Sequence, residues 1–416
     1  MTSDYFTIEA IPARKGDSLI IYEGPSDNYK VAIIDGGPSK VYKNSLKPRI
    51  KDIRKDKGIA DDDPLPIDFM MVSHLDDDHI KGILDLGKEL KNQTENHEPV
   101  LLTIDNLWNN SFDDIIGNTQ GTLEGVRDGA GVTASVDTVN WSDPRLDHDA
   151  EAVLASIGQG YKLWGYANFF DWRVNHPFGN DALIMQRGTD DDQKTPFSDD
   201  VTFTIIGPQK KEIEKLQKKY DKYLKDKGLG RNEREAVVAG LSQDSSVTNL
   251  SSLVVLLERN GKTILLTGDA LGSKIIDGLE VSGHLPFGGT MHVDVLKMQH
   301  HGSDRNVTPE FFKRLTANHY IFCGDGEHGN PERQTFEWLV KARGDDTYTL
   351  HFTYPISMID KKREDEVHDG HIWDHDEDSL TALFKTVGDN VKLSEPTHRD
   401  GVRIDLADPL DVPRAN

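Results

Sequence analysis

The sequence predicts a mixed α/β fold. Two observations carry that reading. Short apolar runs of strand length alternate with charged amphipathic stretches, and three of the apolar runs stop abruptly in His or Asp residues. The length, 416 residues, is enough to bury a substantial core in one large domain or two smaller ones.

In chain order, Tyr5–Ile11 alternates apolar and polar residues and Ser18–Tyr22 is mostly apolar. Lys30–Ile34 stops at the turn signal Asp35-Gly36-Gly37-Pro38. Residues 40–65, rich in Lys and Asp, read as a helix followed by a loop. Ile67–Val72 is a short buried strand that runs into Ser73-His74-Leu75-Asp76-Asp77-Asp78-His79, where a helix starts and continues through Leu86. Leu101–Trp108 reads as another strand. Residues 110–200 show little periodicity beyond a helical stretch near Glu151–Ile157, followed by the aromatic run Tyr161–Trp172. A structureless loop of that length is unusual in a compact domain, so a partly helical insertion over one edge of the fold is expected. Val201–Ile206 is a strand closed by Gly207-Pro208. In 210–227, Ile213, Leu216, Tyr220 and Leu224 recur every three or four residues, which predicts an amphipathic surface helix with solvated lysines.

The second half repeats the logic. Ser252–Glu258 and Thr263–Leu266 form a hairpin through Asn260-Gly261, and the second strand ends in Thr267-Gly268-Asp269. Val293–Met298 ends in Gln299-His300-His301-Gly302-Ser303. A helix over Pro309–Leu315 precedes the strand Tyr320–Cys323, which opens onto Gly324-Asp325-Gly326-Glu327-His328-Gly329-Asn330-Pro331. Beyond residue 345, the strand-like pieces Thr349–Tyr354 and Val402–Leu406 flank an acidic, His-rich loop.

Composition excludes some function classes. The net charge of −23 repels polyanions at long range, which disfavours a nucleic-acid binder working through a basic face. An enzyme that brings cations to its substrate is still allowed, because bound dications invert the local field. The single cysteine, Cys323, permits no intrachain disulfide and no Cys₄ zinc site, so a metal must be held by His and carboxylate. Cys323 lies in an apolar strand and reads as buried and inert. No secretion signal opens the sequence and no apolar run reaches the roughly 20 residues that cross a bilayer, so a cytoplasmic protein without a membrane partner is expected.

The strand ends carry the chemistry. Strands that stop in tight turns project their last side chains into a shared crevice. In His74-x-Asp76-x-Asp78-His79, alternate residues of an extended segment point the same way. His74 and Asp76 can therefore grip one cation, while Asp78 and His79 face a second. Asp77 reads as a helix cap. Asp269 follows a strand and has the right chemistry to bridge two metals. Of His300 and His301, one is a ligand and the other contacts substrate or donates a proton; spacing does not say which. Two cations roughly 3.5–4 Å apart would polarise a phosphoryl or acyl oxygen and hold a hydroxide as nucleophile. A serine nucleophile elbow and a Gly-rich phosphate loop are both absent.

These residues resemble the metallo-β-lactamase superfamily, and within it the soluble hydrolase domain of ComEC-type DNA-uptake proteins and their stand-alone relatives. The likeness rests on Lys15-Gly16-Asp17-Ser18-Leu19-Ile20, Ile34-Asp35-Gly36-Gly37, and Ser73 through Gly82. It continues in Asn249-Leu250-Ser251-Ser252-Leu253-Val254 with Leu265-Leu266-Thr267-Gly268-Asp269-Ala270, and in Val295 through Ser303. The resemblance implies an αββα sandwich over residues 1–345, with an insertion at 110–200 and the charged helix at 210–227. Residues 346–416 would be an extension packed on the same domain. It implies a pair of divalent ions, zinc or manganese, held by His74, Asp76, Asp78, His79, Asp269 and one of His300 or His301. Gly16, Asp17 and Asp35 would shape the floor, Asp35 mainly as a turn residue. Asp78, His301 and His328 are the expected catalytic groups. The chain departs from the pattern in three places. Asp76 stands where the superfamily has a second His, which favours manganese over zinc. A further ligand His is sought among His97, His148 and His176. His328-Gly329-Asn330-Pro331 replaces a Gly-His-Pro.

The acidic loop 364–378 with His368, His371 and His375 reads as solvated, and the aromatic run as packing for the insertion. The expected function is a two-metal phosphodiesterase or nuclease acting on DNA or another phosphodiester. One alternative is a hydrolase of a small phosphoester, cyclic nucleotide or lactone. Another is a non-catalytic or partner-activated effector whose insertion or tail meets a protein partner.

Overall fold

The computed structural model describes residues 4–111, 115, 148–178, 183–189, 194–227, 251–367, 372–396 and 401–407. The chain opens with strands β1 (Asp4–Ala10), β2 (Leu19–Pro25) and β3 (Lys30–Ile34), then a π-type turn at Tyr42–Leu46 that leads into α1 (Lys47–Asp56). Next come β4 (Leu65–Ile67), β5 (Phe69–Met71), α2 (Asp77–Glu95), β6 (Leu102–Ile104), β7 (Asn106–Trp108) and α3 (His148–Phe170). They are followed by β8 (Arg173–Val174), β9 (Lys194–Pro196), β10 (Thr202–Gly207) and α4 (Lys210–Lys227). After these stand β11 (Val254–Arg259), β12 (Lys262–Leu266), α5 (Gly272–Val281), β13 (Met291–Lys297), α6 (Pro309–Arg314) and β14 (Leu315–Phe322). The last elements are α7 (Arg333–Arg343), β15 (Tyr348–Phe352), α8 (Ile356–Asp365), α9 (His375–Asp378), α10 (Leu380–Phe384), β16 (Val391–Ser394) and β17 (Val402–Asp405).

The strands make two large sheets, in the orders β17-β1-β2-β3-β5-β7-β8 and β16-β15-β14-β13-β12-β11-β10-β9, with β4 and β6 as a separate pair. Side-chain alternation explains how they stack. In β2 and β3, Leu19, Ile21, Ala32 and Ile34 face one way and meet Phe203, Val255, Ile264 and Val295 of the second sheet. Ile20, Tyr22, Val31 and Ile33 face the other way and meet Ile50 and Ile53 of α1 and Ile80, Ile83 and Leu86 of α2. The second sheet likewise turns Leu256, Leu296, Tyr320, Phe322 and Leu350 outward, onto Ile275, Phe312, Phe336 and Ile359 of its own helices. A helix layer, two sheets and a second helix layer result. Strands buried on both faces must be apolar at nearly every position, which is why these runs lack strict alternation.

Two expected strands each divide. Ile67 belongs to β4 and Phe69 to β5, because Asp68 turns its carboxylate onto the Val31 amide at 3.1 Å. Leu101–Trp108 splits at Asp105 into β6 and β7, whose partners lie in different sheets. The aromatic run is not a loop. It continues α3, where Leu163 and Ala167 join the core and Tyr161, Tyr166 and Phe170 pack against it. The described part of the insertion therefore does more than cover an edge. α3 packs on α2, while β8 and β9 extend one sheet each. Helix 210–227 stands as expected, with Ile213 buried. Helices α5, α7 and α8 and strands β9 and β16 were not anticipated. Residues past 345 add β15 and β16 to the second sheet and β17 to the first. Cys323 is buried, as its apolar strand predicts. His368, His371, Asn249 and Leu250 lie outside the described residues. Among those described, no helix is long and apolar enough to cross a membrane.

Away from the strand ends, His319 Nδ1 and His351 Nε2 meet at 3.0 Å on neighbouring strands. Burial, reinforced by His319, pushes His351 down to about 3 from its ordinary 6.5. The folded ring thus binds fewer protons than the unfolded one below pH 6.5, and stability from this group is lost as pH falls from 6.5 towards 3. Replacing His351 with Leu is expected to flatten the fall in urea midpoint between pH 7 and pH 4.5 relative to wild type. An unchanged pH slope would count against this account.

Candidate metal centre

Four loops at strand ends build the centre. After β5, Val72 continues the sheet by donating its amide to Trp108 O, and the chain leaves it at Ser73. Asp76 then takes the N-cap position of α2. The N-terminal turn of α2 is set against the loop after β3 by backbone contacts: Gly36 N donates to His79 O at 2.7 Å and Gly82 N donates to Gly37 O at 2.9 Å. A side chain on Gly82 would collide with the Gly36 carbonyl, and one on Gly16 with the Asp78 carbonyl. These glycines let two backbones touch, and that contact places His79 and Asp78.

Asp269 follows Gly268, whose φ of +49° turns the chain out of β12. After β13, His300 and His301 both adopt the left-handed conformation, at φ +47° and +56°. That conformation is uncommon for residues with a Cβ and marks a loop held by its surroundings.

The side chains converge on the Asp269 carboxylate. His79 Nε2 stands 3.3 Å from Oδ1; His74 Nε2 at 3.6 Å, His300 Nε2 at 3.7 Å and His301 Nε2 at 3.8 Å stand near Oδ2. Asp78 lies 3.4 Å from His301 Nε2 and 4.0 Å from His79 Nε2, and Asp76 lies 3.7 Å from His74 Nε2. Two overlapping groups have metal-holding geometry: Asp17, His79, Asp269 and His301, and His74, Asp78 and His79. Together they have the capacity for one or two cations.

Every ring is held from behind. The Nδ1 of His74 meets Ser73 Oγ at 3.2 Å, that of His79 meets Asp35 Oδ2 at 2.9 Å, that of His300 meets Asn306 Oδ1 at 2.8 Å and that of His301 meets Asp17 Oδ1 at 3.0 Å. A ring that donates through Nδ1 presents the Nε2 lone pair inward, as metal-binding imidazoles do. The inward atoms have no other employment. The Nε2 atoms of His74, His79 and His301 and Oδ1 of Asp269 are buried without a hydrogen-bond partner. Buried polar atoms are normally satisfied, so four orphans around one point fit a cation.

The electrostatics agree. Burial opposes charge on every group. For Asp269, the surrounding His79, His300, His301 and His74 outweigh it and hold the carboxyl well below the usual range. His301 is pushed up to about 9 despite its burial, by Asp17 and Asp269, and His79 rises for the same reason through Asp269 and Asp35. His79 and His301 thus sit among carboxylates whose charge a dication would also neutralise, while burial and His79 push His74 down.

Not every expected residue joins. Asp77 does not cap the helix but bonds Lys81 and Gln159. His328, also left-handed, meets Lys15 Nζ at 2.8 Å and belongs to neither group. His97 follows α2, His176 offers its carbonyl to Asn106 and Trp108, and the His148 side chain lies outside the described residues. Asp35 accepts the Ser73 amide, as a turn residue would, but also holds His79. Sequence reading did not find Ser73 or Asn306 as supports. Neither type is distinctive, and only folding brings them behind a ring. No model of a known protein family matches the chain, and no curated protein matches it.

Gly82→Ala is expected to destabilise the protein by about 1–3 kcal/mol, as overpacking does. A lowered urea midpoint with unchanged slope would show it; a wild-type midpoint would contradict the close contact described above.

Proposed function

We propose that the chain is a metal-dependent hydrolase of the metallo-β-lactamase fold, using its centre to cleave phosphodiesters, with nucleic acid as the first substrate to test. One observation carries the proposal. Three imidazole nitrogens and a carboxylate oxygen are buried, unpartnered and aimed at one another across loops far apart in sequence. The helix–sheet–sheet–helix layering and strand-end position of the loops support the family reading, with 1–345 as the hydrolase domain and 346–416 as its extension.

In this reading His74, Asp76, Asp78, His79, Asp269 and His301 would hold the metal. Carboxylate-rich donors of this kind suit manganese as well as zinc. When bound, such ions supply a Lewis acid and lower the pKa of a coordinated water to about 7. The chain's own groups do the rest. Asp78, beside His301 and His79, orients the attacking water and takes its proton. His301 is fully buried and serves as ligand. His300, partly exposed and braced by Asn306, faces substrate and delivers a proton to the leaving oxygen. His328 and Lys15 meet at the exposed face of their two loops and are placed to contact an anionic substrate. The net charge of −23 favours a second reading, in which the substrate is a small phosphoester, cyclic nucleotide or lactone that feels less long-range repulsion than a polymer.

Manganese- or zinc-loaded protein is expected to degrade plasmid or single-stranded DNA, and to lose at least about a hundredfold in rate with chelator or with Asp269→Asn. Turnover of a chromogenic phosphodiester or lactone with inert DNA would select the second reading. A folded, metal-loaded protein inert on all of them would end the hydrolase proposal.

A further inference from the structure

Lys297 has no role in that chemistry, yet it is 1% exposed in the interior between the sheets. It ends β13, two residues after Val295, whose side chain belongs to the inter-sheet core. An unpaired ammonium there would cost several kcal/mol, so its partners matter. There are two. Its Nζ forms an ion pair with Oδ2 of Asp17, itself 1% exposed, and donates to Gly268 O at 3.3 Å. Asp17 gives its other oxygen to His301 Nδ1 at 3.0 Å, and its backbone amide donates to Asp78 O at 3.2 Å. Gly268 O also accepts the His300 amide at 3.2 Å, and Thr267 Oγ1 donates to Lys297 O at 2.7 Å.

We propose that the Lys297–Asp17 pair is the positioning unit of the metal centre: it aims His301 Nε2 inward and ties that ring to the loop bearing Asp269. The inference rests on the metal-centre reading above. Asp17 has metal-holding geometry with His79, Asp269 and His301, but both its oxygens are engaged, one by His301 and one by Lys297. It is therefore a positioning residue, not a ligand. The contacts are what let it work. Lys297 holds one carboxylate oxygen of Asp17, so the other is fixed where it accepts from His301 Nδ1. Without Lys297, the buried carboxylate would lose the cation that fixes it and would be free to turn away from the His301 ring. The same ammonium anchors the carbonyl immediately before Asp269, so one buried cation sets the separation of two ligand-bearing loops.

The test titrates metal-free wild type, Asp17→Asn and Lys297→Met with cobalt(II), followed by the visible d–d bands, with zinc affinity measured by competition. Asp17→Asn is close to isosteric and keeps the test open if Lys297→Met does not fold. Each variant is expected to bind roughly 10–100-fold more weakly, with altered band intensities, as when a support behind a metal ligand is lost. The double variant should bind about as weakly as either single one, because the two residues act as a unit. Folded variants with wild-type affinity and spectrum would make the pair purely structural and overturn the inference. Wild type that binds neither cobalt nor zinc would overturn the metal-centre reading, and this inference with it.

Discussion

Everything at the centre depends on keeping like charges together. Asp17, Asp35, Asp78 and Asp269 are gathered within one crevice, where their mutual repulsion and the loss of water both work against ionisation. The fold answers with imidazoles between them and one ammonium beneath them. Each carboxylate then meets either a ring Nδ1 that it steadies or a ring Nε2 that it faces. The arrangement is balanced for a cation: the carboxylates beside His79 and His301 draw protons to those two rings, and a bound dication would take the place of that positive charge.

Geometry of this kind needs a stiff frame, and the two sheets provide it. Their strands are buried on both faces, so each loop that carries the clustered His and Asp side chains leaves from a strand end that cannot shift independently. The loops themselves are held by contacts that only small or strained residues allow. Gly16 and Gly36 bring backbone against the turn that carries Asp78 and His79, and Gly268 bends the chain so that Asp269 enters the crevice. His300 and His301 accept an unfavourable backbone conformation for the same end. α2 takes part directly: Asp76 is its N-cap, and its first turn is bonded to the loop after β3.

Much of this was legible in the chain before folding was considered. The run of Ser73 to His79 after an apolar strand, Asp269 after another and the His pair after a third pointed to one crevice, and His74, Asp78, His79, Asp269 and His301 do meet there. The strands around them were also readable, because β1 to β3 and β10 to β14 are apolar with turn residues at their ends. Legibility failed where a single polar residue divides a run, as at Asp68 and Asp105. It failed where helices such as α7 and α8 have no distinctive cap or follow an ordinary turn. The support behind each ring was hidden because Ser73 and Asn306 become supports only by proximity. Lys297 did leave a trace, a lysine directly after the apolar Val295-Leu296 at the end of its strand, but nothing local says which carboxylate neutralises it.

The amino-acid order by itself determined the chemistry available: a chain with one cysteine and His and Asp at strand ends can hold a metal only through imidazole and carboxylate. What tertiary structure decided is which nitrogen of each ring faces inward, that Asp17 meets both His301 Nδ1 and Lys297 Nζ, and that His328 stands with Lys15 outside the two metal-holding groups. The reason is physical. Ligand identity is a property of side-chain type and local spacing, whereas ring orientation and charge balance depend on partners as much as 284 positions away in the chain, as for His301 and Asp17.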